Sequence, residues 1–417
     1  MKQKIKQITR LFQNNQKIAE NYFFMTFANS AGMVISLLLY PYLIRVLGKE
    51  AYGSYVLALS AVAFFSLFIS FGFNLPALKQ ISLNQNNLEK RQEMISFVFT
   101  AKALLFVAVS AIFILSLIFI PFLRANYLLY IIAFATVAAN AFVPNWYFQG
   151  VQKMKVLTLI QVFVRILGIP FIFLLVKTPY DVLWLAAIYF CVSFFSFVLV
   201  VFYLKLKEGI AFTFVRVDKL KTLFKESVPL FWTSLTSTAK LEGVTLIIGT
   251  FISVADVAIY DLARKIINIL QLITRSINTA LFPKAVSAAK EVVRKIIFYQ
   301  GILGAAGIAF IALIGYPLIL LLGGDEMTAA YPLMLILSVT LITWMLANCY
   351  ISFVFVPSGH YNYILANQIV AVLSFVVLVT ISLLISRSIY AVVIALALSS
   401  FFELFYCTIQ TKRKRLL

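Results

Sequence analysis

Twelve long apolar stretches fill almost the whole chain, and each has about 20 residues or more, the length that an α-helix needs to cross a bilayer. They lie at residues 22–46, 51–74, 95–120, 127–148, 156–176, 182–204, 228–252, 256–281, 296–322, 329–356, 364–385 and 389–410. Hydrophobic residues make up 63% of the 417 residues, and no single water-soluble core could bury that much apolar surface. The sequence therefore excludes a soluble enzyme and a disordered protein. It predicts an all-α integral membrane protein with twelve transmembrane helices.

Positive charge is concentrated in alternate loops. If the N-terminus is cytoplasmic, the loops on that side hold about five times as many Lys and Arg residues as the loops on the other side. Such a bias is typical of cytoplasmic loops, so the net charge of +20 indicates membrane topology rather than nucleic-acid binding. We predict that both termini are cytoplasmic, with cytoplasmic segments at 1–21, 205–227 and 411–417.

The twelve stretches divide into two sets of six with similar spacing. When the two sets are aligned, residues 51–55 of the first correspond to residues 256–260 of the second. The equal number of spans supports the repeat more strongly than any single matched residue does. Six spans in each set give both the same membrane orientation, an arrangement that recurs in transporters. We therefore predict two six-helix lobes, at 22–204 and 228–410.

Residues for covalent or metal chemistry are sparse. His360 is the one histidine of the sequence, and Cys191, Cys349 and Cys407 are far apart within apolar stretches. A His-based triad, a zinc-ligand spacing and a disulfide framework are therefore not expected. We predict neither a catalytic site nor a metal or cofactor site.

Charged residues nevertheless occur inside the predicted spans, where each costs at least about 2.5 kcal/mol near the bilayer centre. The cations outnumber the anions, so the membrane interior is net basic. The six cations are Lys102, Arg165, Lys240, Arg264, Lys265 and Arg275, and the anions are Glu242, Glu403 and Asp261.

The eighth span carries a polar stripe along one helical face. Its residues recur at spacings of three and four, and 17 rises of 1.5 Å make the stripe about 26 Å long. They are Asp261, Arg264, Asn268, Gln271, Arg275 and Asn278. The stripe could face a water-filled lumen or could join two helices through hydrogen bonds. The two arginines have few carboxylates nearby in the sequence, which favours the lumen.

Shorter polar faces lie in other spans, with Lys240 in the seventh, Arg165 in the fifth and Asn29 in the first. Because the guanidinium fork matches phosphate oxygens, a basic lumen with amide and hydroxyl groups suits a phosphorylated, sugar-bearing solute. The predicted substrate-binding residues are Arg264, Arg275, Lys240, Arg165, Asn268, Gln271 and Asn29. The predicted ion-coupling residues are Glu242, Glu403 and Asp261.

Several short motifs resemble those of the Wzx-type flippases of O-antigen and polysaccharide repeat units, in the multidrug/oligosaccharidyl-lipid/polysaccharide superfamily. The resemblance runs almost end to end, and the Trp-Tyr-Phe-Gln-Gly stretch is its most specific part. Gln152 departs from the pattern, which has an acidic residue there. The matching segments are 45–48, 52–55, 144–154, 227–231 and 282–283.

The resemblance implies two six-helix lobes that form a V around a central cationic cavity. It also implies a bacterial inner-membrane flippase that moves an undecaprenyl-pyrophosphate-linked oligosaccharide to the outer leaflet by alternating access. Membrane lipids, and a complex with a polysaccharide polymerase and chain-length regulator, are its expected partners.

Two alternatives remain open at the level of sequence. A multidrug or organic-ion antiporter of the same superfamily would favour acidic cavity residues, whereas cations predominate here. A membrane-embedded glycan-assembly enzyme would need a large outer loop or a catalytic cluster, and the short outer loops offer only dispersed acidic residues. We therefore predict a transporter and not an enzyme.

Overall fold

In the computed structural model, every regular element of the described residues is a helix, which confirms the predicted all-α fold. The structure describes the backbone of residues 2–216, 220–286, 290–414 and 416–417. Within these ranges it describes side chains from Glu20 onward, except at positions 29, 279–280, 282–286 and 361.

Fourteen α-helices lie in these ranges. They are α1 (Lys2–Ser70), α2 (Asn74–Leu83), α3 (Leu88–Phe119), α4 (Pro121–Ala125), α5 (Tyr127–Phe142), α6 (Asn145–Gly150), α7 (Met154–Leu175), α8 (Val182–Lys207), α9 (Lys221–Phe251), α10 (Val254–Val286), α11 (Lys290–Gly323), α12 (Ala330–Tyr350), α13 (Tyr361–Ile385) and α14 (Ile389–Arg413). Two 3-10 turns lie at Pro179–Asp181 and Asp325–Met327, and a π-helical turn at Ile351–Phe355 continues α12.

The first two predicted spans form one long helix that bends at a glycine. Gly48 in α1 has φ 73° and ψ 174°, a conformation that glycine adopts without a Cβ clash. The seventh and eighth predicted spans are almost as closely joined, because α9 ends at Phe251 and α10 begins at Val254. The predicted spans end at 46 and 252 and resume at 51 and 256, a spacing that predicts two tight connections, and the structure confirms them.

Nine helical segments of the described chain are long and apolar enough to cross a membrane, and the first of these, Glu20–Ser70, holds two predicted spans. Helices α9 and α10 are not among the nine. Both carry charges inside the predicted span, Lys240 and Glu242 in α9 and Arg264 and Lys265 in α10, and these lower the mean hydropathy. A multi-pass membrane protein is therefore supported, while the number of twelve spans stays a prediction.

Contacts divide the chain into two compact units. One consists of Met1–Ser36 with Val62–Ser234, and the other of Leu37–Ala61 with Leu235–Leu417. The middle of α1 thus packs with the C-terminal half of the chain. The predicted lobe boundaries at 22–204 and 228–410 stay a prediction.

The aromatic motif at the end of the fourth predicted span forms α6 in the core of the first unit. Trp146, Tyr147 and Phe148 are each 2% exposed or less. A Cβ atom at Gly150 would overlap the side chain of Ile81 in α2, so glycine lets α6 and α2 pack closely. The motif therefore has a clear packing role.

A buried carboxylate ties this motif to three neighbouring segments. Glu208, at the C-terminal end of α8, accepts hydrogen bonds from Arg91 of α3 at 2.9 Å and from Tyr147 of α6 at 2.9 Å. Lys153, just before α7, donates to its other oxygen. A carboxylate is unfavourable at a helix C-terminus, and these donors offset that cost.

The same contacts set the protonation of this group. Burial alone would raise the pKa of the Glu208 carboxyl, but hydrogen bonds from Lys153, Tyr147 and Arg91 outweigh burial and hold the pKa below its ordinary value of 4.5. A carboxyl with a lower pKa in the folded than in the unfolded state stabilises the fold above the unfolded pKa. That stability is lost as the pH falls through the folded pKa.

Glu208→Gln is therefore expected to lower the stability of the purified protein at pH 7 by about 2 kcal/mol, since it weakens charge-assisted hydrogen bonds. The difference from wild type should shrink as the pH is lowered below 4.5 and Glu208 becomes protonated. Melting curves in detergent at several pH values would measure it. Glu93→Gln, an exposed site on α3, is the matched control. Equal effects of the two substitutions at pH 7 would contradict the role of Glu208.

Candidate functional site

Charged side chains from distant parts of the sequence meet in the second unit. Among its described residues, three ion pairs lie within the predicted spans: Lys240 with Glu403, Arg264 with Glu242, and Lys265 with Asp261. Each pair combines a predicted ion-coupling residue with a cation. The three anions of the sequence analysis are therefore each paired with one of its six cations in this structure.

The pair of Lys240 and Glu403 joins α9 to α14. The side chains are 16% and 11% exposed, so both charges are largely removed from the surface. The Lys240 ammonium donates to a Glu403 carboxylate oxygen. An unpaired charge at this depth would be costly, and each group supplies the partner that the other needs.

Arg264 is paired with the acidic residue of the preceding helix. Its guanidinium lies 3.6 Å from the Glu242 carboxylate and donates to the Leu241 carbonyl oxygen at 3.0 Å. Ser60, from the second part of α1, donates to the other Glu242 oxygen at 2.7 Å. Few carboxylates lie near Arg264 along the sequence, but the tight connection between α9 and α10 brings Glu242 alongside it.

Asp261 is the centre of a third cluster, which includes two tyrosines. It pairs with Lys265 one turn later and accepts a hydrogen bond of 3.0 Å from the Tyr52 hydroxyl. Lys265 also donates to the Tyr52 hydroxyl at 2.7 Å and lies over the rings of Tyr40 and Tyr52. Sequence reasoning missed these tyrosines as partners of the stripe. In the structure Gly53 packs directly against the Val254 carbonyl, which brings Tyr52 of α1 close to α10.

The polar stripe of α10 changes character along the helix. Asn268 and Gln271 are half-buried, and Arg275 is exposed with its guanidinium 5.2 Å from the ring centre of Trp344 on α12. Asn278, at the end of the stripe, is buried and accepts a hydrogen bond of 2.9 Å from Gln300 of α11. The stripe thus joins helices at both ends, through Asp261 and Asn278, and leaves accessible polar groups between them.

Two predicted substrate-binding residues belong to the first unit. Arg165 of α7 is half-buried, and its guanidinium fills the space beside Gly32 of α1, where a Cβ atom would overlap it. The side chain of Asn29 lies outside the described residues. Lys102 of α3 is 2% exposed and donates to the Ala141 carbonyl oxygen at 2.6 Å, so its charge is held inside the first unit.

Acidic residues do not gather into a metal site in the described ranges. No group of three His, Cys, Asp or Glu side chains there is placed to hold a metal ion. Each carboxylate of the three clusters instead faces a cation or a hydroxyl group.

Comparisons with known proteins show which family and which fold this chain resembles. Residues 18–288 match the family described as polysaccharide biosynthesis protein. A protein of Escherichia coli (strain K12) named "Putative O-antigen transporter" is 23% identical over 272 residues, which cover 65% of this chain and 65% of that protein. The matched region is thus somewhat less than two thirds of the relative's length.

Solved structures show the same fold. An inward-facing multidrug resistance MATE family transporter of the MOP superfamily aligns with a TM-score of 0.72 and 14% identity, over 92% of this chain and 94% of that one. An outward-facing MATE transporter aligns with a TM-score of 0.64 and 16% identity, over 96% and 95%. The fold is therefore MATE-like. Because the family match extends over well more than half of its residues, this chain belongs to the polysaccharide biosynthesis protein family.

Proposed function

We propose that this protein is a flippase for undecaprenyl-pyrophosphate-linked oligosaccharide repeat units of the O-antigen or capsule type. It moves them from the inner to the outer leaflet of the bacterial inner membrane by alternating access. The family match over residues 18–288 carries the proposal. The MATE-like fold supports a transporter rather than an enzyme, and the name of the E. coli relative agrees with it.

The proposed topology follows from the charge of the loops. Twelve spans, in lobes at 22–204 and 228–410, would leave both termini and the basic segment at 205–227 in the cytoplasm. Membrane lipids would surround the helices. A polysaccharide polymerase and a chain-length regulator are the proposed protein partners.

The proposed substrate site is the set of cations and amides that the sequence singled out. Arg275 is exposed, and its planar guanidinium fork matches the geometry of phosphate oxygens. Lys240 and Arg264 are held by carboxylates, so a pyrophosphate would compete with Glu403 and Glu242 for them. In this proposal those carboxylates, with Asp261, are released when substrate binds, and they then couple transport to an ion.

The uncharged groups complete the proposed site. Asn268 and Gln271 lie between Arg264 and Arg275 on the same face of α10 and are half-buried, which leaves amide groups for sugar hydroxyls. Arg165 and Asn29 are further proposed substrate-binding residues. Their place in the site stays a prediction.

Lipid-linked glycans extracted from cells that lack the protein would test the proposal by mass spectrometry. We expect complete repeat units to accumulate on the undecaprenyl carrier, because assembly is intact and translocation is lost. Complementation with wild type should remove them. Truncated or unmodified repeats would instead identify a glycan-assembly enzyme. Normal glycans together with raised sensitivity to toxic organic cations would identify a multidrug antiporter.

A further inference from the structure

An apolar cleft lies between α3 and α5 in the first unit. It has a volume of about 710 Å³, within the usual range for a small-molecule site. Phe113 and Phe134 form its floor, with stacked rings 4.3 Å apart. The walls are apolar side chains such as Ile114 and Ile131, which are 56% and 43% exposed.

The cleft runs along α3. On α3 its lining runs from Ser110 to Ile118 at helical spacings of three and four, so it occupies one face over about 12 Å. One leaflet of the hydrocarbon core is about 15 Å thick. The cleft therefore has about the depth of one leaflet, which suits an acyl chain.

One end of the cleft carries a cation. Arg124, in the last turn of α4, lines the cleft together with Tyr127 at the start of α5. Both are exposed, and in the described part of the chain Arg124 forms no ion pair with a carboxylate. An arginine and a tyrosine at a span end are typical of the headgroup region, where both contact lipid phosphates and water.

We propose that this cleft binds one acyl chain of an anionic phospholipid, with the lipid phosphate on the Arg124 guanidinium. The apolar walls recognise the chain, and the cation recognises the headgroup at the depth where a phosphate lies. Under the proposed topology, the site faces the outer leaflet. The binding test does not depend on that topology or on the transported substrate.

Native mass spectrometry of the purified full-length protein, titrated with phosphatidylglycerol, would test the site. We expect Arg124→Gln to weaken the tightest-bound lipid about fivefold, which corresponds to about 1 kcal/mol for one cation near a lipid headgroup. Lys177→Gln, an exposed cation in the loop after α7, is the matched control and should leave the affinity unchanged.

A second pair of variants tests the cleft itself. Ile114→Trp should fill it and displace the lipid, whereas Ile112→Trp, which is also exposed on α3 but lies outside the lining, should not. Equal affinities of the Arg124 and Lys177 variants would overturn the proposal. Competition by inorganic phosphate alone, or tighter binding of undecaprenyl phosphate than of phosphatidylglycerol at this site, would also overturn it.

Discussion

Glu403→Leu is expected to destabilise the protein by about 3 kcal/mol, because it leaves the Lys240 ammonium without its partner inside the second unit. The two side chains are only 16% and 11% exposed, so little water reaches the Lys240 ammonium in place of the lost carboxylate. The double variant Lys240→Met/Glu403→Leu should recover most of this loss, since it removes both charges and keeps apolar volume. The unfolding of the three proteins in detergent, followed by tryptophan fluorescence, would measure the difference.

An exposed ion pair supplies the control for this cycle. Glu326 is 76% exposed at 4.0 Å from Lys49, so Glu326→Gln should change stability by less than about 0.5 kcal/mol. A Glu403→Leu variant as stable as wild type, or a double variant no better than the single, would show that the pair is not a stabilising unit. Transport is not a useful readout here, because both residues belong to the proposed site.

Helical periodicity predicted much of what the structure contains. The apolar stretches predicted the positions of the long helices, and the short spacing before residues 51 and 256 predicted tight connections there, which the structure shows as the bend at Gly48 and the close succession of α9 and α10. The spacing of three and four in the eighth span placed the polar residues of α10 on one face. These are local properties of a helix, so the spacing of residues along the sequence predicts them directly.

The side-chain partners of those polar residues could not be predicted from helical periodicity. Periodicity shows which face of a helix is polar but not which helix packs against it, so Lys240 and Glu403, 163 positions apart, could not be paired from the sequence. The contribution of Tyr52 and Ser60 was missed for the same reason, because it depends on the middle of α1 packing with the C-terminal half of the chain. The stripe was interpreted mainly as a lumen lining, whereas part of it also joins helices.

The double variant Arg264→Gln/Arg275→Gln is expected to lower transport of the lipid-linked glycan at least about a hundredfold. Two charge-assisted hydrogen bonds to a pyrophosphate are lost, each worth about 1.5 kcal/mol or more, and 3 kcal/mol corresponds to about a hundredfold. The accumulation of complete repeat units on the carrier, with protein abundance measured in the same membranes, would show it.

The single variants separate binding from stability at this site. Arg275 is exposed, so Arg275→Gln should impair transport with a smaller loss of stability than Arg264→Gln, which leaves Glu242 without its counter-charge. Arg264→Lys keeps the charge but lacks the planar fork, and it should restore stability more than transport. Arg387→Gln, in the exposed loop before α14, is the control and should transport normally. Wild-type transport by the double variant at normal abundance would exclude these arginines from the substrate path.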